Sequence, residues 1–286
     1  METNIITYLS DQLNESILDF QSISGGDISQ AYKLNTKHNS YFLKTNKSPK
    51  ALDMFQKEAL GLKLIAETNT ISTPNVLHCS QLEDISLLLM EYIPAKTPSS
   101  KDFKTLGEEL GNLHKVSNNS FGFDSDNYIG SLHQSNKPTD TWIEFYVNER
   151  LFPQLQLAIQ NQLLLDSECP SKEQMIEKLA PFFQNVVPSL LHGDLWSGNY
   201  LISQDGTPYL IDPAPYYGHH EVDIAMTKLF GGFAPEFYMA YYKKHPESSY
   251  TEDRISIYQL YYLLVHLNLF GKSYYSSVSH LLEKHF

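Results

Sequence analysis

The hydrophobic and polar positions fall into two textures along the chain. From Phe20 to Tyr92, short strand-like runs are separated by polar turns: Asp19 to Ser24, a Gly25-Gly26 turn, Ile28 to Leu34, a polar turn at Lys37 to Ser40, then Tyr41 to Lys44. These runs predict a twisted antiparallel sheet. Ala51 to Glu67 follows with Phe55, Ala59, Leu62 and Ala66 at i, i+4, i+7 and i+11, one apolar face of a helix. Ser86 to Tyr92 predicts a buried strand, and Pro94 marks the exit from regular structure. Beyond Pro98 the pattern is mostly helical, as in Phe103 to Val116 with Leu106, Leu110 and Leu113 in register. A sheet followed by helices predicts the α+β class and a bilobal layout: a small antiparallel-sheet lobe with one main helix over residues 1–92, and a larger, mostly helical lobe over 93–286. There is no internal repeat, low-complexity tract or long linker.

Composition narrows the partners. At 286 residues either lobe arrangement buries enough apolar surface to fold without staples, and the two cysteines, Cys79 and Cys169, carry no metal or redox spacing. A reducing, cytoplasmic setting is expected. The N-terminal segment lacks the basic start and apolar core of a signal peptide, and the apolar stretch Tyr258 to Phe270 is interrupted by His266 and Asn268, so no membrane association is expected. A formal charge of −12 argues against a nucleic-acid partner, which needs a basic surface. A nucleotide remains compatible if a divalent cation and placed lysines supply positive charge locally.

The candidate chemistry is concentrated in Leu190-Leu191-His192-Gly193-Asp194-Leu195-Trp196-Ser197-Gly198-Asn199 and the stretch that follows it. Tyr200 to Ser203 and Pro208 to Ile211 flank an Asp205-Gly206 turn, a hairpin signal. A hairpin returns to its start, so Asn199 before it and Asp212 after it are expected about 5 Å apart, the spacing of neighbouring strands. One amide and one carboxylate oxygen there suit Mg²⁺, which favours hard oxygen ligands and keeps waters and substrate phosphates. Asp194, five residues before Asn199, can face that site without ligating it, the position of a base.

This order resembles the kinase catalytic loop and its metal-binding Asp, with His192-Gly193-Asp194 for His-Arg-Asp and Asp212-Pro213-Ala214 for Asp-Phe-Gly. Without that Arg, and without an Ala-Pro-Glu segment, activation-loop regulation is not expected. The first lobe supplies further pieces. Gly25 and Gly26 could let backbone N–H groups approach phosphates, although two adjacent glycines alone are more often a plain tight turn. Lys44 ends a strand and Glu58 lies on the following helix, the order in which kinases place the phosphate-binding lysine and the glutamate that orients it. Met90, Glu91 and Tyr92 join strand to helical lobe, where backbone groups could meet an adenine edge or simply complete a buried strand.

The run His192 to Asn199, with Asp212-Pro213-Ala214, Tyr217-Gly218-His219 and Phe230-Gly231-Gly232-Phe233, resembles the fructosamine kinase (ketosamine-3-kinase) family, relatives of the aminoglycoside and choline kinases. The resemblance covers nearly the whole chain, and Asp194-Leu195-Trp196-Ser197-Gly198-Asn199 is its most specific piece. It implies a protein-kinase-like fold, ATP and Mg²⁺, and Asp194 as base. Asn199 and Asp212 are implied metal ligands and Met90 to Tyr92 the adenine-binding hinge. The implied acceptor is a free or protein-bound ketoamine, whose phosphorylation next to the carbonyl sets up elimination of the sugar and hence deglycation. Some members carry a cysteine in the glycine loop where this chain has Asp27, so no thiol switch is expected.

Other residues are less committed. Trp196 offers either a flat face to substrate or simple packing, while His192 and Asp223 are read as supports, Asp223 by hydrogen-bonding the loop backbone. His219 and His220 are read as packing rather than metal ligands, and Trp142 and Tyr216 as packing or cleft wall. An aminoglycoside- or choline-type kinase is the enzymatic alternative; a nucleotide-binding pseudokinase is the non-enzymatic one.

Overall fold

The computed structural model describes residues 3–23 and 29–286. The Gly25-Gly26 turn therefore lies outside the described residues. The chain divides into two compact units, Met1–Thr97 with Tyr200–Asp212, and Pro98–Asn199 with Pro213–Phe286. The sequence pattern put the hairpin after Asn199 with the helical lobe and ended the first lobe at Tyr92; by its contacts the hairpin belongs to the first unit. The reason is local pairing: Ser72 bridges Tyr209, Ala95 bridges Ser203, and the Lys96 N–H donates to the Ile202 carbonyl at 2.8 Å.

In the first unit, helix α1 (Thr3–Leu13) leads into strands β1 (Asp19–Ile23), β2 (Gln30–Asn35) and β3 (Ser40–Asn46). Helix α2 (Ala51–Glu67) and strands β4 (Val76–Leu82) and β5 (Ile85–Glu91) follow. The strands form one antiparallel sheet in the order β1-β2-β3-β5-β4. Strand β5 explains the architecture. Its side chains alternate between faces, and Leu87 and Leu89 join Ile5 and Leu9 of α1 in one core while Leu88 and Met90 join Phe55 and Leu62 of α2 in the other. A strand covered on both sides has no reason to alternate with polar residues, so it reads as the continuous run Leu87-Leu88-Leu89-Met90. Strand β4 and helix α1 were not anticipated. At the sheet edge β4 is only half-buried and mixes His78, Cys79 and Ser80 into its pattern, which erases the strand signal.

The second unit contains α3 (Ser100–Leu113), α4 (Trp142–Phe145), α5 (Phe152–Gln160), α6 (Lys172–Leu179), α7 (Glu221–Phe230), α8 (Pro235–Tyr241), α9 (Thr251–Phe270) and α10 (Tyr275–His285). Ser99 caps α3 by accepting from the Asp102 N–H, while the Asp102 carboxylate accepts from the Ser99 N–H, so the helix begins three residues earlier than its leucine spacing alone indicates. Helix α9 is buried along most of its length, and among the described residues no helix is long and apolar enough to cross a membrane. Trp142 and Tyr216 are buried, Trp142 donating its indole N–H to Tyr258 at 2.9 Å, so both are packing residues.

Helices α3, α7, α8 and α9 meet around a buried polar cluster. The His114 Nε2–H donates to the Asp223 carboxylate at 3.0 Å, which leaves Nδ1 to accept from the Tyr241 hydroxyl at 2.7 Å; His220 Nδ1–H then donates to the Tyr241 oxygen at 2.9 Å. His219 Nδ1 pairs with the Tyr258 hydroxyl at 2.8 Å, and Glu221 is held by Arg254 at 2.6 Å and 2.7 Å and by the Thr251 hydroxyl at 2.8 Å. The ligating atoms of His219, His220 and Glu221 lie within 4.8 Å of one another, yet these bonds engage a nitrogen of each ring and both carboxylate oxygens. Burial holds the His219 and His220 imidazoles well below the usual histidine range, with nearby Arg254, His114 and His245 adding to the effect.

Two expectations follow from this packing. A Cβ on Gly107 of α3 would sit 2.2 Å from the backbone oxygen of Phe237 in α8, so Gly107→Ala should lower stability by about 1–3 kcal/mol, read from the urea midpoint. An unchanged midpoint would show that the two helices are not closely seated there. The imidazoles give the second. Unfolded histidines take up protons below their ordinary value near 6.5, whereas folded His219 and His220 resist protonation. Stability is therefore level above that pH and falls below it, by up to about 1.4 kcal/mol per pH unit for each ring. Denaturation at pH 7 and at pH 5.5 should display this slope, and His220→Asn should flatten it; an identical slope in the variant would remove His220 as a cause.

Candidate active site

The loop before the hairpin is held by one carboxylate. Asp223, on the first turn of α7, accepts the backbone N–H of His192 at 2.7 Å and of Gly193 at 2.9 Å, and is itself fully buried. Burial alone would raise this carboxyl, but the His114 hydrogen bond, the electrostatic attraction of the His114 and His192 rings and the Gly193 N–H overcome it and keep it below the usual carboxylate range. His192 is buried in turn, and its Nδ1 accepts the Asp194 N–H at 3.2 Å. Gly193 has φ +85°, and a Cβ there would stand 2.0 Å from the Ala214 backbone oxygen, so the position needs glycine on both counts. The Ala214 N–H donates to the His192 carbonyl at 2.9 Å, and the Tyr262 hydroxyl of α9 donates to the Gly193 carbonyl at 3.0 Å.

Asp194 emerges from this clamp. Its carboxyl is pushed up to about 7, first by removal from water and then by the charge of Asp223, with the hydrogen bond from Asn199 opposing. Asn199 donates Nδ2–H to the Asp194 carbonyl at 2.8 Å and to its carboxylate at 3.3 Å. With the amide nitrogen committed in this way, the Oδ1 of Asn199 is the atom that can meet a cation. Trp196 is 40 % exposed, and a Cβ on Gly198 would lie 2.4 Å from its ring, so the indole lies directly against Gly198.

In the first unit, Lys44 on β3 donates to the Glu58 carboxylate on α2 at 2.8 Å and forms a second, very close ion pair with Asp212. The lysine and Glu58 are largely shielded, while the Asp212 side chain keeps 34 % of its surface exposed. The hairpin forms as the Asp205-Gly206 signal predicts, pairing Tyr200 with Leu210 and Ile202 with Pro208; Gly206 has φ +94° and the Asp205 carboxylate accepts the Thr207 N–H at 3.1 Å. Asp212 has φ +54°, a left-handed conformation that costs a non-glycine residue about 1 kcal/mol.

Met90 and Glu91 sit within β5, opposite Phe42 and Tyr41, and the Glu91 N–H is engaged by the Asn75 carbonyl at 2.9 Å. Tyr92 follows, with the Lys33 ammonium 4.4 Å from its ring centre. The sequence reading assigned no role to His114, Tyr241 or Tyr262. His114 and Tyr241 brace Asp223, and Tyr262 holds Gly193, from positions 109, 18 and 69 residues away, and no spacing rule links such positions.

The fructosamine kinase family model matches residues 1–286. A protein of Enterococcus faecium named Probable ketoamine kinase is 40 % identical over 285 residues, covering 98 % of this chain and 99 % of its own. The chloroplastic protein-ribulosamine 3-kinase of Arabidopsis thaliana is 41 % identical over 268 residues, covering 92 % and 81 %. Among solved structures, a Haemophilus somnus 129PT protein assigned as a fructosamine-3-kinase superposes with a TM-score of 0.87 at 28 % identity, over 98 % of this chain and 96 % of that one. An aminoglycoside phosphotransferase, APH(4)-Ia, solved with ADP and hygromycin B, shares the protein-kinase-like fold at a TM-score of 0.65 and 16 % identity, over 99 % and 98 %. A family match over the entire length, carried by relatives at about two-fifths identity, means that this chain belongs to the fructosamine kinase family.

Proposed function

We infer that the protein transfers the γ-phosphoryl group of ATP to a hydroxyl of a ketoamine. The observation that carries the phosphoryl-transfer reading is Lys44, drawn from a central strand and ion-paired at once to Glu58 and Asp212. A lysine held in this way has a fixed position from which to neutralise phosphate charge. The acceptor class rests on family membership and on the relatives named as ketoamine and protein-ribulosamine kinases.

Each residue then has a chemical task. The Asp194 carboxylate takes the proton of the acceptor hydroxyl as its oxygen attacks the γ-phosphorus and the bond to the β-phosphate oxygen breaks, releasing ADP. Asp223 keeps the Asp194 loop from moving as that charge changes, because its bonds to the His192 and Gly193 N–H groups do not involve the reacting carboxylate. Asn199 Oδ1 and the exposed carboxylate of Asp212 are hard oxygen donors suited to Mg²⁺, which when bound neutralises the phosphates. Met90 to Tyr92 serve as the adenine-side hinge, and the exposed indole of Trp196 as a platform for the sugar. Phosphorylation beside the carbonyl creates a leaving group; loss of phosphate leaves the sugar joined to nitrogen as an imine, and water hydrolyses that bond to free the amine, so the consequence of turnover is deglycation.

Asp194→Asn keeps the shape and removes the base, and should lower kcat about 10²- to 10⁴-fold in a coupled ATPase assay with a fructosamine or ribulosamine acceptor. Turnover within threefold of the wild type would sink the assignment of the base. The same assay run with an aminoglycoside and with choline should show no acceptor-dependent ADP release; stimulation by either in preference to the ketoamine would overturn the acceptor class.

A further inference from the structure

The peptide bond immediately before Asp194 is held at both ends by side chains. Its N–H, on Asp194, is accepted by His192 Nδ1 at 3.2 Å, and its carbonyl, on Gly193, accepts the Tyr262 hydroxyl of α9 at 3.0 Å. A peptide unit is planar, so fixing both ends fixes the direction in which the chain enters Asp194. Gly193 has no Cβ to restrict that plane, so the restriction has to come from outside the loop.

The loop lies against residues 214–218. The Ala214 N–H donates to the His192 carbonyl at 2.9 Å, the Leu191 N–H donates to the Tyr216 carbonyl at 3.0 Å, and Tyr217 and Gly218 pair with Leu190 and Ser189. Pro215 has no N–H to place, and its carbonyl accepts Asn127 Nδ2–H at 2.9 Å. Asn127 opens strand β6 (Asn127–Ile129), which pairs with β7 (Leu132–Gln134). Gln134 Nε2–H donates to Asn127 Oδ1 at 2.7 Å, and the Tyr261 hydroxyl of α9 donates to Gln134 Oε1 at 2.5 Å. Asn127, Gln134 and Tyr261 are all buried.

The polarity of this relay is dictated from its far end. A proline carbonyl can only accept, so Asn127 must turn its nitrogen toward it and its oxygen toward Gln134. Gln134 must then turn its nitrogen to Asn127 and its oxygen to α9, and the residue on α9 must donate. A phenol does so, and removal from water holds Tyr261 and Tyr262 above the usual tyrosine range, so both keep the proton they give. Buried amides bonded in this way add little net stability, but they fix direction, which an apolar contact does not.

Building on the reading of Asp194 as the base, we propose that the adjacent residues Tyr261 and Tyr262 are positioning residues for it. Tyr262 sets the plane of the Gly193–Asp194 peptide; Tyr261, through Gln134 and Asn127, holds the strip of backbone against which the loop lies. Successive helix positions point about 100° apart, so one turn of α9 reaches both supports. The phenols act through the direction of the Asp194 carboxylate, and their loss slows the chemical step without weakening the binding of ATP or acceptor.

Tyr262→Phe and Tyr261→Phe each delete one hydroxyl and leave the ring in place. In the coupled assay with a fructosamine acceptor, each should lower kcat about tenfold while both KM values stay within about twofold of the wild type. Asn127→Asp, which turns an oxygen toward the Pro215 carbonyl, should match Tyr261→Phe; should it not fold, the two phenylalanine variants carry the test alone. A second comparison places each phenylalanine variant in the Asp194→Asn background. Residues that act only through the base have nothing to act on once it is gone, so the residual rate should change by less than about twofold, whereas general loosening of the fold would lower it about tenfold again. Equal factors in the two backgrounds, or an unchanged kcat in Tyr262→Phe, overturns the proposal, and an unchanged kcat in Tyr261→Phe removes the relay. Turnover of Asp194→Asn itself near the wild-type rate overturns the base, and the positioning roles with it.

Discussion

A buried negative charge organises the larger unit. Asp223 has no exposed surface, and a carboxylate in that position is tolerable only if hydrogen bonds answer it. Two of its donors are backbone N–H groups of the loop that carries Asp194, and the third is His114 on another helix. The geometry of the loop is therefore enforced by the cost of leaving Asp223 unanswered rather than by the loop's own preferences, which at Gly193 are for a conformation few residues adopt. The second layer, Tyr241 and His220, fixes the His114 ring in the tautomer that donates to Asp223.

The smaller unit solves a different problem with the same economy. Lys44 belongs to a strand in the middle of a five-stranded sheet, so its backbone is paired on both sides, with Ala31 and with Leu88. Only the side chain is left to adjust, and Glu58 and Asp212 restrict that too. Rigid placement of a cation on a central strand, and of a carboxylate on a clamped loop, is what phosphoryl transfer asks of a protein, since the chemistry itself needs positioning and charge more than covalent help.

Much of this was legible in the order of residues. The hairpin announced itself through Asp205-Gly206 between two short apolar runs, because its turn chemistry is local, and it appears with Tyr200 opposite Leu210. Helix α2 was readable to its ends, since a single apolar face against a sheet leaves a clean 3.6-residue rhythm. Strand β4 was not readable, since half-burial at an edge permits His78 and Ser80 where a central strand would demand apolar residues. Nor was the membership of the hairpin, which depends on Ser72 and Ala95, both more than 100 residues earlier in the chain.

The amino-acid sequence by itself determined the chemical kinds: two carboxylates and an amide around a hairpin, a lysine and a glutamate on successive elements, and glycines where the backbone must bend. These are properties of single residues and of neighbours along the chain, and they survive without knowledge of the fold. Tertiary structure alone decided which groups support them. His114, Tyr241 and Tyr262 are ordinary residues of amphipathic or buried helices until packing sets them beside Asp223 and Gly193. Hydrogen bonding and desolvation act over a few ångströms of space, and the chain separates these partners by as many as 109 residues.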